Sequence, residues 1–304
     1  MILTVTLNAA LDVTYETSSV EWGGSNRVGT VVQRAGGKGV NVARVAAALG
    51  SPVLATGLLG GATGDLVRAD LDRSGLRHDF APVAGASRRT LTVVETSTGA
   101  ATVLNEPGPH VTPDEWQAFL GHFRSLAGSA GVVTLSGSLP PGLAPDAYAT
   151  LTACVPSGVP VILDADGNAL ARGVGGAPAL VKPNAEELTR ATGIPSAVHG
   201  AEALRTAGAR AVLVSMGPDG MIAVTPDGSW RAVPPSPVAG NPTGAGDAAV
   251  AAAARSLASG TPWPDLLRHA VALSAAAVRA PVAGDFDPAL YTRLLPEIAV
   301  HRLT

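Results

Sequence analysis

Cysteine is almost missing from this chain: Cys154 stands alone among 304 residues. A single thiol excludes an internal disulfide framework and a cysteine-built zinc site, and it suits a reducing compartment. Its place in an apolar segment predicts a buried thiol. Aromatic residues are scarce too, at 4%, which argues against a sandwich with a large aromatic core. No basic block accompanies the net charge of −3, so neither nucleic acid nor an anionic membrane surface is expected as a partner. No apolar run reaches bilayer-spanning length, and Met1 leads straight into an alternating segment without a basic leader, so the expected location is cytoplasmic. The six histidines (78, 110, 122, 199, 269 and 301) show no metal-ligand spacing. Three chemical signatures are lacking as well. No Gly-Lys pair is followed by Ser or Thr as in a P-loop, Gly37-Lys38-Gly39 lacks the last glycine of a dinucleotide fingerprint, and Ser136–Gly142 is not a nucleophile elbow.

What remains is apolar and glycine-rich: 46% hydrophobic against 15% charged, with 36 glycines. That composition fits a globular α/β chain with helices packed closely on a sheet. Ile2–Leu7 reads as a buried strand ending at Asn8, with Asp12 after a short turn. Residues 13–35 read as extended strands outside the main sheet, and residues 87–106 as a hairpin broken at Ser97-Thr98-Gly99. A strand at Val53–Leu58, a glycine turn (Gly60, Gly61, Gly64) and a helix at Asp65–Ser74 form one βα unit. Thr112-Pro113-Asp114-Glu115 predicts a capping box opening a helix to about Leu126. Val132–Leu135, Val159–Asp164, Ala179–Val181 and Ala211–Ser215 have the rhythm of a parallel sheet, and the last third is mostly helical.

Two glycine-loop-to-helix junctions stand out. Asn241-Pro242-Thr243-Gly244-Ala245-Gly246-Asp247-Ala248 reads as a helix N-terminus whose backbone N–H groups, with the helix dipole, hold a phosphate. Asp247 in the first turn is placed to accept the proton of an attacking hydroxyl, although an ordinary capped helix reads the same way. Gly36-Gly37-Lys38-Gly39-Val40-Asn41 is the second junction, about 200 residues earlier. Lys38 offers a mobile charge to a substrate phosphate and Asn41 a hydrogen bond to a sugar hydroxyl, or merely a local cap. Lys182-Pro183-Asn184-Ala185-Glu186-Glu187 opens another helix; Asn184 and Glu187 share a face and suit Mg²⁺ held through water, or form a plain cap beside a solvated glutamate. Ser215–Gly220 reads equally as nucleotide contact or as a tight turn between strands.

Together these segments resemble the ribokinase/phosphofructokinase-B family of sugar kinases, nearly end to end. Within it, Thr6–Asp12, Ser136–Gly142 and Val181–Asn184 resemble the branch acting on phosphorylated hexoses, such as 1-phosphofructokinase and tagatose-6-phosphate kinase. The resemblance implies one three-layer α/β/α domain over 1–304, mostly parallel, with a small β lid at about 13–34 and 87–106 that pairs with a second subunit. It implies ATP and Mg²⁺ as cofactors and a phosphosugar as substrate. Asp247 would be general base, with Gly244, Ala245 and Gly246 forming the anion hole. Asp12, Gly37, Lys38, Asn41 and Arg89 would line the sugar-phosphate site, with Arg27 reaching across a dimer. Lys182, Asn184, Ser215, Gly217 and Gly220 would surround ATP, and Asn184 and Glu187 would serve the metal. Fructose 1-phosphate is the expected acceptor, ahead of tagatose 6-phosphate or fructose 6-phosphate. The alternatives are a kinase of an unphosphorylated sugar or nucleoside, or a catalytically silent sensor. Three places depart from the family pattern: Leu91 two positions after Arg89, where an asparagine is usual, with Arg88 adding a charge; Asp166 in Asp164–Gly167; and Asn241-Pro242 before the second junction.

Overall fold

The computed structural model describes residues 1–303. Seven strands run parallel in the order β5 (His78–Pro82), β4 (Val53–Leu59), β1 (Ile2–Thr6), β8 (Val132–Ser136), β9 (Val161–Asp164), β10 (Leu180–Val181) and β11 (Val212–Ser215). Three antiparallel strands extend that edge: β12 (Met221–Thr225), β13 (Gly228–Ala232) and β14 (Val300–Leu303). Every residue of β1 is buried, as expected of a strand covered on both faces.

Side chains alternating along these strands feed two cores. Ile2, Val53 and Ile162 pack with helices α1 (Lys38–Ala48), α2 (Gly61–Arg73), α8 (Ala245–Ala258), α9 (Trp263–Val278) and α10 (Pro288–Leu294). Leu3, Val5 and Val133 pack with α3 (Pro113–Ala127), α4 (Ala147–Cys154), α5 (Gly167–Gly173), α6 (Ala185–Thr192) and α7 (Ala197–Thr206). The result is helix, sheet, helix: the three-layer α/β/α architecture that the family resemblance implies. The capping box at Thr112 forms as expected, with Pro113 in the first helical turn.

A separate four-stranded sheet orders β3 (Thr30–Gly36), β2 (Ala10–Thr17), β6 (Arg88–Glu95) and β7 (Ala101–Asn105). Its pairing is mixed, with β2 and β6 parallel and the outer pairs antiparallel. Residues 18–29 contain no strand, so extended structure fills only part of the segment expected to form it. Asp12 lies within β2, not in a loop, because Ala10 and Leu11 already pair with Gly36 and Ala35. The turn expected at Gly60–Gly64 is instead the start of α2, and its N-cap Gly60 lets the backbone carbonyls of Val83 and Gly85 pass close by. Cys154, expected to be buried, is only half-buried at the end of α4. No helix among the described residues is long and apolar enough to cross a membrane.

Candidate active site

Strand β1 ends beside α1, and α8 lies against α1. The two glycine junctions consequently meet at the carboxyl edge of the parallel strands, where open α/β sheets bind ligands. Asn41 on α1 donates from Nδ2 to Asp247 Oδ2 on α8 at 2.8 Å, a buried bond between residues 206 apart in sequence. Asp247 is 6% exposed. Burial and the neighbouring Asp164 push its carboxyl up from 3.8 to about 7, against the pull of Lys38, Asn41 and Lys182.

No side chain caps α8. Gly244 takes the cap position at φ 86°, a conformation that favours glycine; the Ala245 N–H bonds the Pro242 carbonyl at 3.1 Å, and the Gly246 and Asp247 N–H groups are left without a side-chain cap. A side chain at Gly246 would sit 3.2 Å from Lys182 Nζ, so the empty space there is a cradle between backbone amides and an ammonium. The α1 junction is built the same way, with Gly37 at the cap and no side-chain cap bond.

One residue that sequence reasoning missed ties these parts together. Asp164, the last residue of β9, is 1% exposed and lies 3.3 Å from Lys38 Nζ and 3.6 Å from Lys182 Nζ. Burial disfavours its charge, but Lys182 and Lys38 outweigh that and hold its pKa below the usual carboxylate value. Lys38 is held above the usual lysine value: desolvation opposes the charge, and Asp164, Glu187 and Asp247 together overcome it. An acid at the carboxyl end of a parallel strand was the available signal.

Asn184 and Glu187 form a reciprocal capping box on α6, with both bonds at 2.8 Å. The bland reading of this pair is right about the cap but not about solvation, because Glu187 is buried and its second oxygen lies 3.6 Å from Lys38 Nζ. Ser215 ends β11 beside Asn184, to which a single bridge joins it. Gly217 and Gly220 turn the chain from β11 into β12. A side chain at Gly217 would meet open space, whereas one at Gly220 would collide with the Ala232 carbonyl.

On the small sheet, Asp12 is pushed up to about 6 by burial, opposed by Arg88, Thr90 and Arg34. Its carboxylate fills the space a Cβ on Gly36 would need. Arg89 does not reach this cluster. Ala10 pairs with Arg88 and Leu11 with Arg89, and alternation sends the two arginines to opposite faces. Arg88 shares the face of Asp12, bonding the Asn8 carbonyl at 3.0 Å and Thr90 Oγ1 at 3.4 Å, while Arg89 pairs with Glu106 and is 61% exposed. Leu91 follows Arg89 to that far face. The position two beyond Arg88 is Thr90, beside Asp12.

Two other departures have local explanations. Asp166 caps α5 and pairs with Arg190 at 2.7 Å, and Asn241 accepts from the Thr243 N–H at 3.0 Å, closing the loop before α8. Arg27 is exposed in the segment joining β2 to β3. Among the described residues no group of three His, Cys, Asp or Glu has metal-holding geometry.

An uncapped glycine-lined helix start, a buried carboxylate pushed up by its surroundings, two lysines beside it and a small sheet bearing a second acid are gathered at one edge of a ribokinase-like fold. The pfkB family carbohydrate kinase model matches residues 5–290, and the chain belongs to that family. Solved structures agree. Phosphofructokinase-2 from Escherichia coli in complex with fructose-6-phosphate is 30% identical at a TM-score of 0.88, covering 96% of this chain and 98% of that one. The same enzyme in complex with potassium is 27% identical at a TM-score of 0.91, covering 97% and 98%. A possible 1-phosphofructokinase from Thermotoga maritima is 26% identical at a TM-score of 0.89, with both chains covered in full.

Proposed function

We propose that this carbohydrate kinase moves the γ-phosphoryl group of ATP to a hydroxyl of a ketohexose phosphate, with fructose 1-phosphate favoured and tagatose 6-phosphate or fructose 6-phosphate as the other candidates. The observation that carries the reading is the 2.8 Å bond from Asn41 to Asp247, because it joins the acceptor and donor junctions at one buried base. The two cations Lys38 and Arg88 lie on the acceptor side with Asn41 and Asp12, and a phosphorylated acceptor would add an anion to the carboxylates already facing them, Asp164 and Glu187 for Lys38 and Asp12 for Arg88.

The nucleotide phosphates fit the cradle of Gly244, Ala245, Gly246 and Lys182. Mg²⁺ fits as an ion held mostly by water and phosphate: the cap bonds engage one oxygen each of Asn184 and Glu187, leaving the second Glu187 oxygen and Asp164 Oδ2, which is buried without a hydrogen-bond partner. When bound, the ion offsets charge on the transferring group.

Asp12 orients the sugar hydroxyls and Arg88 and Lys38 hold its phosphate. Asp247 takes the hydroxyl proton as the acceptor oxygen bonds to the γ-phosphorus and the bond to the β-phosphate oxygen breaks, releasing ADP. The α8 amides carry the charge that gathers on the phosphoryl oxygens. The small sheet acts as a lid that excludes water. Its exposed Val32 and Val103 support pairing with a second copy, across which Arg27 reaches the phosphate.

A coupled ADP-release screen over fructose 1-phosphate, fructose 6-phosphate, tagatose 6-phosphate, free ketohexoses and ribonucleosides tests this reading. Turnover highest on a ketohexose phosphate supports it; preference for a free sugar or nucleoside overturns it.

A further inference from the structure

The catalytic pair Asn41 and Asp247 is braced by a short segment, Ala283–Asp285, which follows α9 and supplies none of the groups used above. Gly244 and Ala283 are packed so closely that a Cβ on Gly244 would fall 2.9 Å from the Ala283 Cα. Gly284 sits equally tight against α1: a Cβ there would fall 3.0 Å from Asn41 Oδ1 and 3.1 Å from Arg44 Cδ. The segment thus touches both the cap of α8 and the side chain that orients the base.

Its other end is gripped from the small sheet. Arg34, on β3, gives a bidentate pair to Asp285 at 2.7 and 3.0 Å and a third bond to the Ala283 carbonyl at 3.2 Å. Arg34 stands directly across from Asp12 in the β2–β3 ladder. Immediately after it, the Ala35 N–H bonds Asp70 of α2 at 2.9 Å, and Arg44 of α1 pairs with that same carboxylate oxygen at 2.7 Å. The root of β3 is therefore clamped on one side by α2 and α1 and on the other by Ala283–Asp285. A planar guanidinium held at both nitrogens fixes orientation as well as distance, which a lysine at this place would not do.

We propose that Arg34 and Asp285 form a latch that couples the seating of the small sheet to the alignment of Asn41, Asp247 and the α8 amides. Both are positioning residues, since neither touches the reacting atoms. When the sheet is seated, the latch presses Ala283 and Gly284 against the α8 cap and Asn41. When it lifts, the brace loosens and the phosphoryl site loses its alignment, so ATP is not turned over with the acceptor site open. The proposal rests on the kinase reading but not on which sugar is accepted.

Steady-state kinetics and amide hydrogen exchange on Arg34→Ala, Asp285→Ala and the double variant of the full chain test it. Each single change should lower kcat about ten-fold, as small misalignments do, with acceptor KM within about two-fold, and the double should be no slower than the slower single. Amides of Gly244–Ala248 should exchange faster in both singles and not in Arg205→Ala, whose exposed pair with Glu202 lies on α7. Wild-type kcat in a folded single variant, multiplying losses in the double, a change confined to acceptor KM, or unaltered exchange would each overturn the latch. If an alanine variant does not fold, Arg34→Lys and Asp285→Asn are read by the same criteria. The exchange measurement needs no substrate, so an error in the acceptor leaves it intact.

Discussion

As the proposed general base, Asp247 meets two requirements that oppose each other. A base must be ionised to accept a proton, yet burial drives this carboxyl up to about 7, so kcat/KM should rise with pH through about 7 on the acid limb. Its effect on stability has the reverse sense. The folded chain binds this proton more tightly than the unfolded chain, so the contribution is complete below the ordinary 3.8 and is lost as pH rises towards about 7. Asp247→Asn should accordingly lower kcat by about 10²–10⁴ and still melt higher than the parent at about pH 8, with the gain gone near pH 4. Paired thermal melts and kinetics check both halves; equal melting temperatures at both pH values would contradict the assigned burial effect. The two arginines of β6 give a second comparison. Arg88→Ala should raise acceptor KM about 10–100-fold, the range for losing a charge-assisted bond. Arg89→Ala should change it less than about two-fold, because an exposed ion pair contributes little.

Among the elements, α8 does most for the chemistry. Its N-terminus is left open because Gly244 adopts a left-handed conformation and because Ala283 leaves no room for a Cβ. Gly244→Ala should cost about 1–2 kcal/mol of stability in urea unfolding, the ordinary expense of placing an L-residue there. It should lower kcat proportionally more than it raises KM for ATP. Much of this element was legible beforehand: glycines ahead of an alanine-rich run predict an anion-holding helix start, and Thr112–Glu115 predicts a capped one, each from local chemistry alone. Features set by pairing were not legible. Whether Arg88 or Arg89 faces Asp12 depends on the register of β6 against β2, partners about 80 residues apart. Asp164 looked like one acid in Asp-Ala-Asp-Gly, and only the convergence of β9 with α1 and β10 shows it between two lysines. Arg34 and Asp285 carry no motif; 251 residues separate them.

For the whole molecule, the outer half of the small sheet is the exposed surface that lacks a role inside one chain. Val32 and Val103 lie in one cross-strand row with Thr14 and Thr92, on the face that carries Asp12 further in. Trp22 nearby is 77% exposed. If two lids meet on this face, Val103→Asp should convert a dimer into a monomer by light scattering and reduce turnover with it, since Arg27 would lose its place. A dimer undisturbed by that change would send the interface elsewhere.

The bond between Asn41 and Asp247 also bears on the order in which the protein is made. A ribosome finishes β1 and the glycine junction of α1 early, yet those parts wait for most of the remaining polypeptide before they meet Asp247. Strand β1 must also hold a central place between β4 and β8 through that interval. Contacts so far apart in sequence form slowly and leave apolar edges uncovered meanwhile. Truncated or stalled chains would therefore lack turnover altogether, and catalytic competence should arise late in refolding, after most of the secondary structure has returned.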